Sequence, residues 1–290
     1  LESVFTNVAG LCFIDKNELI SANSQYLVGT STSLNSVGFA TRIGDAGVLG
    51  ITVTSMSFGD IPIMTEDLPE GGIGTFSPSF SNIGVSYSKA FSNSIYAGFT
   101  LRLISESISN VKASGIAFDA SIRYVTGEDD NMRFGISLRN VGPPMRSAGD
   151  GLTVTATPQG SANSLTVLQR SERYELPSLV NIGVAYDVLK SENMVLELNG
   201  MFTSNSFTKD QFGFGVETRI GDNLELRAGY LWEQGLFSDD NVTTAYTGPA
   251  GGLTLKVPAG SSGSVIGLDY SYRTTNPFNG HHSVGVKIAI

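Results

Sequence analysis

Cysteine and histidine are nearly absent from the chain, and their scarcity excludes several kinds of site. Cys12 is the only cysteine among 290 residues, so neither an internal disulfide framework nor a zinc site built on several thiolates can form. We expect Cys12 to pack as a small apolar residue, because Leu11 precedes it where a lipid-anchored cysteine needs a small residue. The only histidines, His281 and His282, are adjacent and would point to opposite faces of a strand. We therefore predict no enzyme activity, no metal site and no cofactor.

Basic segments and long apolar runs are missing too. The chain has 18 Lys and Arg against 27 Asp and Glu, a net charge of -9, and it contains no basic run that would bind a phosphate backbone. We therefore expect no nucleic-acid partner. No run of about eighteen apolar residues occurs, which excludes a transmembrane helix. A membrane-spanning barrel stays open, because its signal is only a two-residue alternation in segments of about ten residues.

Alternation of apolar and polar residues is what the chain has in abundance. In segment 113–127, Ile116, Phe118 and Ile122 fall on one face, while Asp119 and Arg123 fall on the other. The 34 glycines and the low charged fraction of 16% also favour strands and turns over long surface helices. The pattern predicts fourteen strands, at 19–28, 37–44, 48–64, 77–91, 94–108, 113–127, 131–141, 176–190, 193–206, 210–221, 223–236, 246–258, 263–275 and 281–290.

Connector lengths distinguish a soluble β-sandwich from a barrel. Short turns are predicted after the even-numbered strands, and TRIGD at 41–45 and 218–222 leads into two of them. Longer links follow odd-numbered strands, at 65–76, 142–175 and 237–245. Short turns on one side, long loops on the other and an even strand number predict an all-β fold, a transmembrane antiparallel β-barrel of about 14 strands. We expect a multi-pass protein in the lipid of a bacterial outer membrane, with both termini on the periplasmic side.

A fourteen-stranded lumen is wider than side chains alone can fill, so something must close it or it conducts. The stretch Asn7-Val-Ala-Gly-Leu11 resembles the plug of the outer-membrane long-chain fatty-acid transporter (FadL-like) superfamily, whose barrels have fourteen strands. The resemblance implies a plug segment at 1–18, with Asn7, Ala9, Gly10 and Leu11 as its defining residues, and a barrel at 19–290. Asn7 is expected to cap the turn. Val8 stands where the family usually has proline, and Ile290 stands where an aromatic residue commonly closes the barrel.

Three further stretches resemble the PorV/PorQ branch of type IX secretion: SLNSVGFA at 33–40, GIAFDASIRYVTG at 115–127 and FGISLRNVGPPMRSAGDGL at 134–152. That resemblance implies a shuttle that receives the C-terminal signal domain of an exported protein and carries it from the translocon to an attachment complex. The implied partners are a large outer-membrane translocon barrel, the cargo signal domains and the attachment complex. A transporter of hydrophobic small molecules is the alternative function, although inward residues such as Arg102 and Arg123 are too charged for a continuous apolar conduit.

Two loops are the candidate partner-binding regions. The long link at 142–175 carries Pro143, Pro144, Met145, Leu165, Val167 and Leu168, of which the leucines and the valine are suited to pairing with a cargo strand. A loop that folds over its own barrel is an equally weighted alternative. The link at 65–76 carries Glu66 and Asp67, for which a solvated acidic surface is favoured over a calcium site because the EF-hand spacing is missing.

Overall fold

The computed structural model describes residues 1–160, 163–238, 242–259 and 263–290. Its short 3-10 helices span Glu2–Phe5, Val8–Phe13, Gly44–Ala46, Glu128–Asp130 and Asp150–Leu152. Its strands are β1 (Asn17–Gln25), β2 (Ser33–Arg42), β3 (Val48–Ser57), β4 (Ile61–Pro62), β5 (Thr75–Phe76), β6 (Ser79–Ala90), β7 (Ile95–Ile108), β8 (Val111–Thr126), β9 (Met132–Val141), β10 (Met145–Ala148), β11 (Thr153–Ala156), β12 (Leu165–Leu168), β13 (Arg173–Tyr174), β14 (Leu179–Lys190), β15 (Met194–Asn205), β16 (Gln211–Ile220), β17 (Leu224–Glu233), β18 (Tyr246–Ala259), β19 (Ser264–Thr275) and β20 (His281–Ala289).

Fourteen of these strands close into one antiparallel barrel, which confirms the predicted fold. The barrel consists of β1–β3, β6–β9 and β14–β20, each paired with its neighbours in sequence order. Closure is made by β1 and β20, whose ladder begins with Glu18 opposite Ala289 and ends with Gln25 opposite His282. A closed sheet leaves no unpaired edge, as a wall in lipid requires.

The two faces of the barrel strands differ in polarity as the alternation predicts. In β8 the outward side chains of Ile116 and Ile122 are 50% and 55% exposed, whereas inward-facing Asp119 is completely buried. Trp232 and Tyr270 are also exposed on the outer face, as the aromatic side chains of an interfacial girdle are. An apolar outer face around a polar interior is the arrangement of a multi-pass outer-membrane barrel, in agreement with the predicted location. No helix of the described residues is long and apolar enough to cross a membrane.

The prediction of a structureless link over 142–175 is wrong. Strand β10 pairs with β8, with Ser147 opposite Ala113, and β13 pairs with β10, so both continue the barrel wall beyond β9 and β14. Pro143 and Pro144 separate β9 from β10, because proline cannot donate to a sheet ladder. Strands β11 and β12 form a hairpin of their own. These four strands are too short to give a readable alternation, which is why the sequence pattern missed them.

Both copies of TRIGD end in turns that favour glycine, and one predicted link and one predicted strand end differ from the structure. Gly44 and Gly221, the glycines of the two copies, have φ values of 49° and 55°, which glycine adopts without steric cost. The predicted alternation of short and long links fails between β7 and β8, which only Ser109 and Asn110 connect. The strand predicted at 48–64 ends at Ser57. The predicted turn at 259–263 and the centre of the link at 237–245 lie largely outside the described residues.

Candidate functional site: the lumen and its N-terminal segment

Residues 1–16, called here the N-terminal segment, lie inside the barrel. The segment consists of the 3-10 helices Glu2–Phe5 and Val8–Phe13 and contacts β3, β6, β7 and β8. Its apolar side chains form a small core with inward residues of the wall, among them Ile20, Ala40 and Val48. The segment therefore provides the second layer of packing that the wide lumen needs on this side. A role in closing the lumen stays a prediction.

Asn7 ties the fold of the segment to the wall. Its Oδ1 accepts a hydrogen bond from the amide of Ala9 at 3.0 Å, which caps the second helix. Its Nδ2 donates to the carbonyl of Ile122 in β8 at 3.1 Å. The Ala9 amide also donates to Ser121 Oγ at 3.0 Å. The cap expected from the sequence is thus present, and the same side chain also bridges to the barrel.

Glycines of the wall allow the segment to approach closely. A Cβ at Gly98 in β7 would lie 2.7 Å from the carbonyl carbon of Val8, closer than side-chain carbons approach backbone atoms. A Cβ at Gly135 in β9 would lie 2.9 Å from Nδ2 of Asn7. Within the segment, a Cβ at Gly10 would lie 2.7 Å from that of Ser3. Gly98 thus allows backbone to approach backbone, whereas Gly135 and Gly10 leave room for the side chains of Asn7 and Ser3.

Cys12 packs against β6, as expected for a small apolar residue. Its Sγ lies 2.9 Å from Ser88 Oγ, and the thiol is buried. Burial raises the pKa of the Cys12 thiol, because the thiolate would lose solvation there. The low thiolate fraction that results makes Cys12 unreactive while the segment is seated.

Arg42 anchors the end of the segment where it enters β1. Its guanidinium donates hydrogen bonds to the backbone carbonyls of Cys12, Ile14 and Asp15, at 2.6 Å for Cys12 and 3.0 Å for Asp15. Hydrogen bonds from a charged donor are stronger than neutral ones. One side chain therefore satisfies the carbonyls at the end of the second helix and fixes the chain before the first strand.

The opposite wall carries a continuous network of ion pairs, called here the charged wall. Arg133 pairs with Asp187 and Glu197, and Arg219 pairs with the same two carboxylates. The network continues from β16 to β19 through Glu217, Arg227, Glu225, Lys256 and Asp269. Neighbouring strands thus pair their charges laterally, although the Nε atoms of Arg219 and Arg227 have no hydrogen-bond partner among the described residues.

A cavity of about 550 Å³ lies between the N-terminal segment and the charged wall. Its lining includes Asn7 and Gly10 of the segment, Arg123 of β8, and Arg133, Asn199 and Glu217 of the facing strands. Phe134, Val184 and Met201 line it as well, so its surface is part polar and part apolar. The lumen thus contains a space of mixed polarity large enough for a small molecule.

The predicted loop residues are not all accessible. Met145 is only 1% exposed and packs against Ala113, Ala117 and Leu176 inside the barrel. The prediction of Met145 as a partner-binding residue is therefore corrected to a packing role, imposed by the pairing of β10 with β8. The other predicted loop residues, Pro143, Pro144, Leu165, Val167, Leu168, Glu66 and Asp67, are exposed.

Leu165, Val167 and Leu168 lie in the hairpin of β11 and β12, called here the exposed hairpin. Val154 pairs with Val167, and Ala156 pairs with Leu165. Every described residue of both strands is exposed. The hairpin thus presents an apolar strip without a covering layer. Among the described residues no cluster of His, Cys, Asp or Glu is arranged to hold a metal ion.

The glycines of the wall and Arg42 are functional positions that the sequence reasoning missed. Gly98 occupies an inward position of its strand, where a polar side chain was expected. A glycine at an inward position of an alternating strand is the one signal that would have identified the seat of the segment. Arg42 belongs to the TRIGD repeat, but its contacts depend on a segment whose path the sequence did not specify.

Solved structures share this architecture over nearly the whole chain. The toluene transporter TodX of Pseudomonas putida matches with a TM-score of 0.62 at 12% identity, over 99% of this chain and 92% of that one. The monoaromatic hydrocarbon channel CymD gives a TM-score of 0.55 at 13% identity, over 99% and 91%. A FadL homologue of Pseudomonas aeruginosa gives 0.54 at 12% identity, over 99% and 92%.

Sequence comparison adds nothing to these structural matches. No protein-family model matches the chain, and no curated protein matches it either. At 12% to 13% identity, structural similarity establishes the fold alone. The chain therefore has the fold of the FadL-like fourteen-strand outer-membrane barrels.

Proposed function

We propose that the chain is an outer-membrane transporter of small molecules, with the lumen as its path and the N-terminal segment as its gate. The observation that carries the proposal is the segment itself, which is seated inside the lumen and leaves a cavity of about 550 Å³ beside it. Hydrophobic small molecules are the proposed class, because TodX and CymD are described as a toluene transporter and a monoaromatic hydrocarbon channel. The proposal assigns no chemical reaction to the chain.

We infer a gate from the contacts that keep the N-terminal segment against the wall. Its contacts with β6, β7 and β8 are mostly hydrogen bonds of neutral groups and close backbone packing at glycines. The hydrogen bond that Arg102 donates to the Val4 carbonyl is long, at 3.4 Å, whereas Arg42 holds the far end by several short charged hydrogen bonds. Neutral hydrogen bonds contribute about 1 kcal/mol each, so the main cost of opening is exposure of the small apolar core that includes Val4 and Leu11. The end at Arg42 is the natural hinge.

A reversible lock tests the transport function. Ser88→Cys places a second thiol opposite Cys12, whose Sγ lies 2.9 Å from Ser88 Oγ. Uptake of a radiolabelled monoaromatic hydrocarbon is measured in a Gram-negative host without such a transporter. We expect oxidation to reduce uptake to that of the host alone and a reductant to restore it, while Ser86→Cys responds to neither. Wild-type uptake no higher than in the empty host would contradict the proposal.

The exposed hairpin supports a second candidate, a protein-binding role in type IX secretion. A two-stranded hairpin is marginally stable alone in water, and this one keeps Leu165, Val167 and Leu168 exposed. An uncovered edge with alternating apolar side chains suits the addition of a strand from another protein. The candidate partners are a large translocon barrel, a cargo signal domain and the attachment complex.

Co-purification tests this second candidate. The wild-type protein and the double variant Leu165→Ser/Val167→Ser are extracted in mild detergent, with Thr153→Ser/Thr155→Ser as the matched control. A translocon barrel or a protein with a β-sandwich sorting domain should accompany wild type and control but not the leucine and valine variant. Equal recovery with all three proteins would contradict a role for the hairpin.

A further inference from the structure

Arg123 differs from the other arginines that face the lumen along β7 to β17. Each of those has a carboxylate oxygen within 4.0 Å, in pairs formed by Arg102, Arg133, Arg139, Arg219 and Arg227. Arg123 forms no such pair with any residue that the structure describes. Its guanidinium lies over the ring of Phe13, with Cζ 4.3 Å from the ring centroid. A cation on an aromatic ring keeps its charge available to an anion.

Two residues that line the same cavity have a polar atom without a partner among the described residues. Arg123 Nε and Ser3 Oγ are both buried and have no hydrogen-bond partner within the described part of the chain. Both residues line the cavity of about 550 Å³. Buried polar groups in native proteins are nearly always hydrogen-bonded, and each exception calls for an explanation. The Nε atoms of Arg139, Arg219 and Arg227 are left unsatisfied by the described residues as well, so what distinguishes Arg123 is its unpaired charge at the cavity, which a ligand with acceptor oxygens would neutralise.

The rest of the lining is suited to such a ligand. Asn7, Asn181 and Asn199 bring amide groups to the cavity, and Gly135 and Gly183 leave room beside them. Amide N–H groups donate to oxyanions without adding charge, while the guanidinium supplies a planar fork of donors. The glutamates of the cavity are already held by Arg133, Arg219 and Arg227. Arg123 is thus the cation left for a solute.

We propose that this cavity binds a small polar solute with an oxyanion, either a carboxylate or a phosphate, with Arg123 as its charge partner. This ligand class differs from the hydrocarbons named for the structural neighbours. Binding at Arg123 does not depend on transport, because a barrel that never opens would still hold the ligand. A negative result in the transport experiment therefore does not contradict the binding site, and the reverse also holds.

Titration calorimetry of the purified barrel in a zwitterionic detergent tests the site. The probes are succinate, inorganic phosphate and neutral succinamide. We expect at least one of the two anions to bind and succinamide not to bind. Arg123→Gln should weaken anion binding by about ten- to a hundredfold, the range for a charged hydrogen-bonding partner.

The matched control is Arg273→Gln. Arg273 also stacks on an aromatic ring, 3.7 Å from the centroid of Tyr246, but it does not line the cavity. The control should bind the anion as wild type does, and a heat-modifiable gel shift should show all variants folded. Binding of succinate alone or phosphate alone identifies the oxyanion and supports the site. No anion binding to wild type, equal binding of succinamide, or undiminished binding to Arg123→Gln would overturn it.

Discussion

The wall of β6 and β7 differs from the charged wall in what its inward side chains contact. Ser86, Ser88 and Thr100 are completely buried; Ser86 and Thr100 share a hydrogen bond, and Ser88 donates to the Ala9 carbonyl of the N-terminal segment. Across the lumen, Arg133 and Arg219 form lateral ion pairs with carboxylates of neighbouring strands and remain partly exposed. Both walls have the same two-residue alternation, so the alternation alone does not determine what the inward side chains contact.

The chemistry of the inward residues explains the difference. Short hydroxyl side chains and glycines leave space and free hydrogen-bonding groups, which a second layer of chain can use. Long charged side chains pair with one another across strands and fill their own space, which leaves the lumen open beside them. The N-terminal segment is therefore seated on one side of the lumen, and the cavity lies on the other.

The largest effect is expected from filling the seat of the segment. In Gly98→Leu the new Cβ would lie 2.7 Å from the carbonyl carbon of Val8, so the segment must leave the wall. Cys12 then becomes solvated, and its pKa returns from a raised value toward that of a free thiol. We expect its maleimide labelling in the folded barrel to accelerate, because the thiol becomes accessible and its thiolate fraction rises.

A glycine on the far side provides the control for this change. A Cβ at Gly215 would make only ordinary contacts, at 3.6 Å from the carbonyl oxygen of Ala228, so Gly215→Leu should leave Cys12 labelling slow. The pH profile sharpens the result. Because the thiolate reacts, the wild-type rate should still be rising with pH where the Gly98→Leu rate has levelled off. Similar labelling of all three proteins would show that the segment is not seated at Gly98.

A moderate effect is expected from breaking the charged wall. Arg133→Gln leaves Asp187 and Glu197 with only Arg219 as partner, and Asp187 is nearly buried. Removing one partner of a buried pair costs several kcal/mol, and partial exposure reduces this to about 1–3 kcal/mol. The measurement is the free energy of unfolding in urea, with Lys89→Gln as the exposed control. The loss should shrink at high salt, and equal stability of both variants would contradict the network.

The smallest effect is expected at the exposed hairpin. Leu165→Ser/Val167→Ser changes side chains that contact solvent, so the free energy of unfolding should change by less than about 0.5 kcal/mol. Urea titration in detergent measures this quantity. A larger loss would mean that the hairpin packs on its own barrel, which was the alternative interpretation of the long link.

The sequence predicted the barrel because alternation is a local pattern with a direct physical cause. Ile116 and Ile122 lie on the lipid face, and Asp119 on the inner face, as the pattern required. Asn7 was likewise recognisable as a cap. The ion pairs of Arg133 and the seat at Gly98 were not, because the first depend on the register of β9, β14 and β15 and the second depends on the path of the N-terminal segment. Met145 was misassigned because β10 was too short to read.

Cross-linking of Cys12 to β6 tests most directly whether the N-terminal segment is seated on this wall. Ser88→Cys brings two thiols together, since the native Sγ and Oγ atoms are 2.9 Å apart. After mild oxidation in the membrane, mass spectrometry of proteolytic fragments reports the disulfide between Cys12 and the thiol introduced by Ser88→Cys. We predict nearly complete cross-linking, with slow maleimide labelling of Cys12 before oxidation. No cross-link, together with Cys12 labelling as fast as an exposed cysteine, would contradict the account.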